Sequence, residues 1–147
     1  MIKIDQIKQL REETAVSVQD CKKALIDAGG DSKKAKEILK KWGKDLAAKK
    51  ASRGTEQGII ASYIHPNKKI GVLLEMDCET DFVGKSQDFQ NLAHELCLQI
   101  AAIREEIPLL EQPWIKNQTK TIKDLISDYI SKTGENIVVK KFTRYEI

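Results

Sequence analysis

Ile59-Ile-Ala-Ser-Tyr-Ile-His-Pro-Asn-Lys-Lys-Ile-Gly-Val-Leu-Leu-Glu-Met-Asp77 is the stretch on which the fold turns. Ile60, Ser62 and Ile64 alternate with Ile59, Ala61 and Tyr63, and Ile70, Val72, Leu74 and Met76 alternate with Gly71, Leu73, Glu75 and Asp77. A period of two belongs to a strand, whose successive side chains point to opposite faces, and Pro66-Asn67 supplies a turn between the runs. The stretch therefore predicts a β-hairpin. Its apolar residues fall on both faces, more than one covering helix can bury.

Downstream, the period lengthens. Phe89, Leu92, Ala93, Leu96, Ile100 and Ile103 mark one face of a helix from about Ser86 to Arg104, which needs a sheet to cover. Thr121-x-x-Asp124 has the form of a capping box ahead of Leu125, Ile126, Tyr129 and Ile130, Gly134 stops that helix, and Ile137 to Tyr145 returns to strand character. This half is α+β, with about three antiparallel strands and two helices.

Upstream, residues 44 to 55 are rich in Lys, Ala, Ser and Gly and read as a helical or flexible linker, so a module boundary falls near residue 54. Before it lie three short helices. Ile4, Ile7, Leu10 and Arg11 share a face, and Ser17-x-x-Asp20 caps a second helix carrying Cys21, Ala24, Leu25 and Ala28, stopped by Gly29-Gly30. Asp31 or Ser32 caps a third with Ala35, Ile38, Leu39 and Trp42, whose stripe Gly43 ends. The expected fold is thus α+β: a three-helix bundle in residues 1–54, then a core of about three antiparallel strands packed with helices in residues 55–147.

The 147 residues are 41% hydrophobic and 32% charged, which describes a globular chain. No apolar run approaches the roughly 20 residues of a membrane span. Met1 to Leu10 alternates Ile with Lys, Asp and Gln, unlike a signal or transit peptide, so a cytoplasmic location is expected. Cys21, Cys78 and Cys97 are odd in number and far apart, which argues against a disulfide framework or a cysteine zinc site. The net charge of +3 conceals an asymmetry: residues 1–53 hold 14 Lys or Arg against 8 Asp or Glu, and residues 54–112 hold 4 against 10. The basic half would steer the chain toward an acidic surface, whether nucleic acid or protein.

Catalytic patterns are missing: there is no Gly-rich phosphate loop, no G-x-S-x-G and no H-E-x-x-H. His65 reads as a solvated strand-end residue. His94 and Cys97 are three apart on one helix and could touch one metal, but two ligands make a poor site. Glu75, Asp77, Glu79 and Asp81 would project alike if the strand continued, either as a solvated face or as a hard-cation cluster. Phe82, directly after that run and off the helical stripe, is either a core residue or an exposed anchor for a partner. Lys33 to Arg53 holds nine basic residues, either a solvated helix face or an RNA or ribosome contact.

Leu10-Arg-Glu-Glu-Thr, Asp20-Cys-Lys-Lys-Ala-Leu, Gly29-Gly-Asp, Tyr63-Ile-His-Pro, Cys78-Glu-Thr-Asp-Phe-Val and Gly134-Glu-Asn-Ile-Val-Val follow one another in an order that resembles the bacterial elongation factor Ts family of translation. The match spans nearly the whole chain, and Thr80-Asp-Phe-Val83 is its most specific block. The resemblance implies that residues 1–54 form a ubiquitin-associated-like domain with linker, and that residues 55–147 are the core and dimerisation domain. It implies guanine nucleotide exchange on elongation factor Tu, with Thr80, Asp81, Phe82 and Val83 entering that GTPase beside its magnesium site.

The same resemblance implies a bundle contact with the GTPase at Leu10, Val18, Gln19 and Lys22. Many relatives carry Met-Met where this chain has Val18-Gln19, and many have a longer helical stretch where only Arg104 to Pro108 joins Ile103 to Leu109. A homodimer is expected, because the chain has length for one of the two core subdomains of longer members. No catalytic residue, cofactor, resident metal, membrane or direct nucleic-acid partner is expected. An RNA- or ribosome-binding translation accessory is the rival reading, and a metal-dependent enzyme the third.

Overall fold

The computed structural model describes residues 1–104 and 106–147. Three helices open the chain: α1 (Ile4–Thr14), α2 (Val18–Asp27) and α3 (Ser32–Lys50). Each starts where a side chain satisfies orphan backbone donors. Gln6 Oε1 accepts from Lys3 N at 3.0 Å, Ser17 Oγ from Asp20 N at 3.2 Å, and Asp31 Oδ1 from Lys33 N and Lys34 N at 2.9 and 3.1 Å. Gly29 and Gly30, at φ 63° and 87°, make the left-handed reversal that ends α2. Leu10, Cys21, Ala24, Leu25, Ala35 and Leu39 form a separate small core, flanked by Ile2, Ile7, Ile38 and Trp42. Ile4 departs from the expected stripe: it is exposed, and Ile2 turns inward instead.

Gly43 does not end α3, which continues to Lys50 through most of the expected linker. A glycine inside a helix costs about 1 kcal/mol relative to alanine. Here a Cβ on Gly43 would lie 3.1 Å from Ser131 Oγ, so the missing side chain lets α3 pack closely on α6 (Ile122–Thr133). Lys40 and Lys44 reach Asp124 of α6 at 3.7 and 3.4 Å, and Ala47 packs against the larger core. One helix thus belongs to both units.

The larger unit is built on β1 (Gln57–Ile64), β2 (Ile70–Cys78) and β5 (Ile137–Glu146), antiparallel in the order β1-β2-β5. Val72, Leu74, Met76 and Cys78 point inward against Phe89, Leu92, Leu96 and Ile100 of α5 (Gln87–Ala102). Burying a side chain such as Phe89 contributes about 2 kcal/mol. The opposite face carries Ile60, Ile64, Leu73 and Tyr145, and Ile60, Leu73 and Tyr145 are 74%, 57% and 71% exposed. Across that face Ile64, Gly71 and Tyr145 stand in one row of the register.

Two features were not expected. The single turn α4 (Asp81–Gly84) follows β2, and a small hairpin joins β3 (Pro113–Trp114) to β4 (Asn117–Thr121). Gln99 sits in the apolar stripe of α5 and organises that hairpin: Nε2 donates to Gln112 Oε1 and Pro113 O, and Oε1 accepts from Ile115 N, at 2.9–3.1 Å. At the end of α5, Arg144 donates to the carbonyls of Ile100 and Ala101 at 3.1 and 3.0 Å, closing the helix. The segment Arg104 to Pro108 includes Glu105, which lies outside the described residues.

Candidate functional site

Strand β2 ends at Cys78, and the chain turns through Glu79 and Thr80 into α4. Thr80 caps that turn, its hydroxyl accepting from Val83 N at 3.3 Å. Ser86 then caps α5, its hydroxyl donating to Val83 O at 2.6 Å and accepting from Phe89 N at 3.2 Å. The corner is therefore pinned at both ends. Val83 and Gly84 are buried, with Val83 in the main core. Successive residues of a helical turn point about 100° apart, so with Val83 and Gly84 both turned inward the preceding Phe82 falls on the outer side. Phe82 is 86% exposed, the most exposed aromatic side chain among the described residues. Of the two readings open from sequence, the structure takes the exposed one.

Asp81 also faces solvent and pairs with Lys85 one turn on, at 2.9 Å. That side-chain contact raises the ammonium of Lys85 above its ordinary range. Beneath the turn, Cys78 Sγ donates to Thr80 O at 3.1 Å. Burial, assisted by the charge of Glu135, pushes its thiol up to about 11, so it is a packing residue and not a nucleophile at neutral pH.

The acidic run does not act as one cluster. Glu75 and Asp77 lie on the open face of the sheet, where burial and then Glu75 raise the carboxyl of Asp77. Glu79 turns toward β5 and α3, accepting from Asn136 N at 2.8 Å and standing 3.6 Å from Arg53. No group of three potential metal ligands occurs among the described residues. His94 and Cys97 also separate: His94 is exposed near the Tyr63 ring and Cys97 is fully buried. His65 sits at the strand end with Nδ1 2.9 Å from the Tyr63 hydroxyl.

Within the bundle, Val18, Gln19 and Lys22 are exposed on the first turns of α2. Leu10 is not: it is 1% exposed in the bundle core, where its contacts hold α1 against α2 and α3. It can shape a contact face but cannot be part of one. Five of the nine basic residues from Lys33 to Arg53 have acidic or carbonyl partners within the chain. Lys36 pairs with Glu13, Lys40 and Lys44 with Asp124, Lys50 with the carbonyl of Gly134, and Arg53 with Glu79.

Sequence reasoning left Glu135 without a role, yet its carboxylate meets the corner directly. Oε1 accepts from Glu79 N and Thr80 N at 3.1 and 2.9 Å, and Oε2 accepts from the Thr80 hydroxyl at 2.6 Å. Fifty-five residues separate Thr80 from Glu135, so no local pattern announces the pairing.

Comparison with known proteins places the chain in a family. Residues 79–147, from the corner to the C-terminus, match the family described as Elongation factor TS. Elongation factor Ts of Thermotoga petrophila is 44% identical over 191 positions, covering 99% of this chain and 96% of its own length. The Thermotoga maritima protein matches to the same extent, and that of Moorella thermoacetica is 39% identical over 194 positions, covering 100% of this chain and 96% of its own. Alignments of 191 positions against 147 residues leave at least 44 at which the relative has a residue and this chain has none. Identity at this level over the whole chain, with a family match that begins at the corner itself, means that the chain belongs to the elongation factor Ts family.

Proposed function

We propose that this chain is a guanine nucleotide exchange factor for elongation factor Tu, acting in the cytoplasm during translation elongation. The observation that carries the reading is Phe82: a large aromatic fully presented to solvent on a turn whose neighbour Val83 is locked into the core. An aromatic anchor held at low conformational cost is the kind of group that dominates binding energy when it enters a partner's pocket.

Nucleotide in a GTPase is held by phosphate contacts and by magnesium bridging phosphate to protein. The corner enters beside that metal through Thr80, Asp81 and Phe82, with Val83 seated in this chain's own core as its anchor. Phe82 wedges between packed elements that have two discrete arrangements, while Asp81 brings a carboxylate toward the metal's coordination shell after giving up Lys85. Because the factor favours the nucleotide-poor state, it weakens GDP and GDP weakens it by the same factor. No covalent step is required, and the chain acts without catalytic residues or a cofactor of its own.

The bundle of residues 1–54 contributes a second contact through Val18, Gln19 and Lys22, with the core of residues 55–147 delivering the corner. The open sheet face bearing Ile60, Ile64, Leu73 and Tyr145 is covered by a second copy of the chain, since an apolar face of this kind is costly in water and a symmetric partner covers it twice. The test is stopped-flow release of a fluorescent GDP from elongation factor Tu. Acceleration that saturates with this chain is the expected result, and release at the intrinsic rate at all concentrations overturns the proposal. Saturable RNA binding at physiological salt without an effect on release would give the site to the rival reading.

A further inference from the structure

We infer that Glu135 is a positioning residue for exchange: its carboxylate holds the Thr80 turn in the one geometry that presents Phe82. This rests on the reading of the corner as the element that enters the GTPase, and goes beyond it by assigning the group that sets the angle of entry. The residue does not touch the partner in this account. It acts through Thr80.

The argument starts from what a short corner needs. Four residues of α4 make a single turn, too short to hold itself, because helix formation is costly until several turns exist. The Thr80 hydroxyl caps the turn by accepting from Val83 N, a contribution of about 1 kcal/mol for a cap of this kind. That hydroxyl has one proton and two lone pairs. Its proton goes to Glu135 Oε2, which orients a lone pair toward Val83. The other oxygen of Glu135 takes the backbone N–H groups of Glu79 and Thr80, the two residues that reverse the chain after β2. Three donors on one carboxylate are charge-assisted hydrogen bonds, about twice as strong as neutral ones.

Glu135 is itself held. It follows Gly134, whose φ of 78° ends α6, and Lys50 of α3 donates to the Gly134 carbonyl. Asn136, 4% exposed, donates through its side chain to the carbonyls of Ala51 and Arg53 and through its backbone to Glu79. The end of α3, the turn after β2 and the α6–β5 turn are thus tied crosswise, with Glu79 accepting from Asn136 N and Glu135 accepting from Glu79 N and Thr80 N. Loss of the Glu135 carboxylate leaves Val83 in the core and Phe82 in place along the chain, but frees the two peptide planes that set the direction of Phe82. A displacement of about 1 Å in a positioned group can cost up to a hundredfold in rate.

The experiment is a double-mutant cycle in the GDP-release assay with the full chain and elongation factor Tu, using Phe82→Ala, Glu135→Ala and the double variant. Glu135→Ala should lower the maximal rate by about tenfold with little change in the half-saturating concentration, since the bundle contact is intact. In the Phe82→Ala background the same change should cost less than about twofold, because the position of a missing ring cannot matter. Glu135→Gln, which keeps an acceptor for the two backbone N–H groups, should restore part of the rate. Backbone amide exchange of Thr80 and Val83 should rise in Glu135→Ala while that of α5 stays at the parent level.

Equal losses from Glu135→Ala with and without Phe82 would overturn the positioning role, as would an unprotected α5, which would mean general unfolding. If Phe82→Ala exchanges at the parent rate, the corner is not the entering element, and both readings fall together. A slow Phe82→Ala beside a fast Glu135→Ala removes the clamp alone.

Discussion

The bundle and the corner present side chains to solvent in different ways. Val18, Gln19 and Lys22 sit on α2, a ten-residue helix over a small core of six buried residues among those described, placed by its caps, by packing and by long contacts of the Cys21 thiol with Val16 O and the Thr14 hydroxyl. Phe82 sits on a turn of four residues, yet that turn is tied by Thr80, Ser86, Glu135 and the buried Val83 to a core of eighteen buried residues. Extra bracing on the shorter element suggests a division of labour. Under the proposed exchange function, the bundle would need a face of about the right character and the corner an exact direction. Changes at the corner should therefore alter rate, and changes at the bundle should alter affinity.

The largest effect tests the corner. Phe82→Ala should slow GDP release at least tenfold, about 1.4 kcal/mol in the barrier, while circular dichroism and melting stay near the parent because the side chain is 86% exposed in the free protein. A parent-like rate, or an unfolded variant, erases the contrast between the two regions. Next comes the open sheet face. Leu73→Glu should convert a particle of twice 16.6 kDa into one of 16.6 kDa at sedimentation equilibrium with reductant present. A parent chain already at 16.6 kDa across the micromolar range removes the second copy, and a dimer lost only on reduction would replace the apolar interface with a covalent one.

The bundle should answer more mildly. Val18→Asp with Lys22→Glu should raise the half-saturating concentration several-fold and leave the maximal rate unchanged. A fall in the maximal rate would mean that the bundle also helps to direct the corner. Asp81→Asn keeps shape and removes charge, so it should slow release more at high magnesium than at low. Equal slowing throughout would leave Asp81 a purely steric role. The smallest effect lies at the joint between the regions. Burial alone would raise Asp124, but the Thr121 N–H and the ammonium groups of Lys40 and Lys44 outweigh it and hold its carboxyl below the usual aspartate range. The unfolded chain takes up that proton more readily, so the contribution is full above about pH 4 and drains away as pH falls further. Melting temperature followed from pH 5 to pH 3 should drop less steeply in Asp124→Asn than in the parent.

Much of this architecture was legible in the chain because its signals are local and repeated. The period-two hairpin, the capping residues Ser17 and Thr121, Asp31 as one of the two candidates for the third cap, and the stripe from Phe89 to Ile100 all lie where patterning places them. Gly43 misled because a helix tolerates a glycine that buys a close approach, and that approach to Ser131 involves a residue far along the chain. The β3–β4 hairpin escaped because Asn117-Gln-Thr-Lys-Thr121 has no apolar alternation; it is organised by Gln99, a polar side chain inside an apolar stripe. Thr80 to Val83 could be picked out by resemblance, but whether Phe82 faced inward or outward depended on the seating of Val83. Leu10 read as a contact because its motif is familial, although its place on the inner face of α1 commits it to packing.

Arg144 and Gln99 fix the two sides of the connection between Ile103 and Leu109. One seals the carbonyl end of α5, and the other anchors Gln112, Pro113 and Ile115 beyond it. Two ties run from these anchors into the segment between Ile103 and Leu109: Gln112 Nε2 donates to the Ile107 carbonyl at 2.9 Å, and Arg104 stands 3.3 Å from Glu146, which also pairs with Arg144. With those ties kept, the junction works like a socket in the fold, at which chain length can vary: closing a loop between two anchored points grows harder only logarithmically with its length. A lineage could lose an appendage there, or an engineer could graft a reporter peptide or a small domain, without rewriting the core on either side.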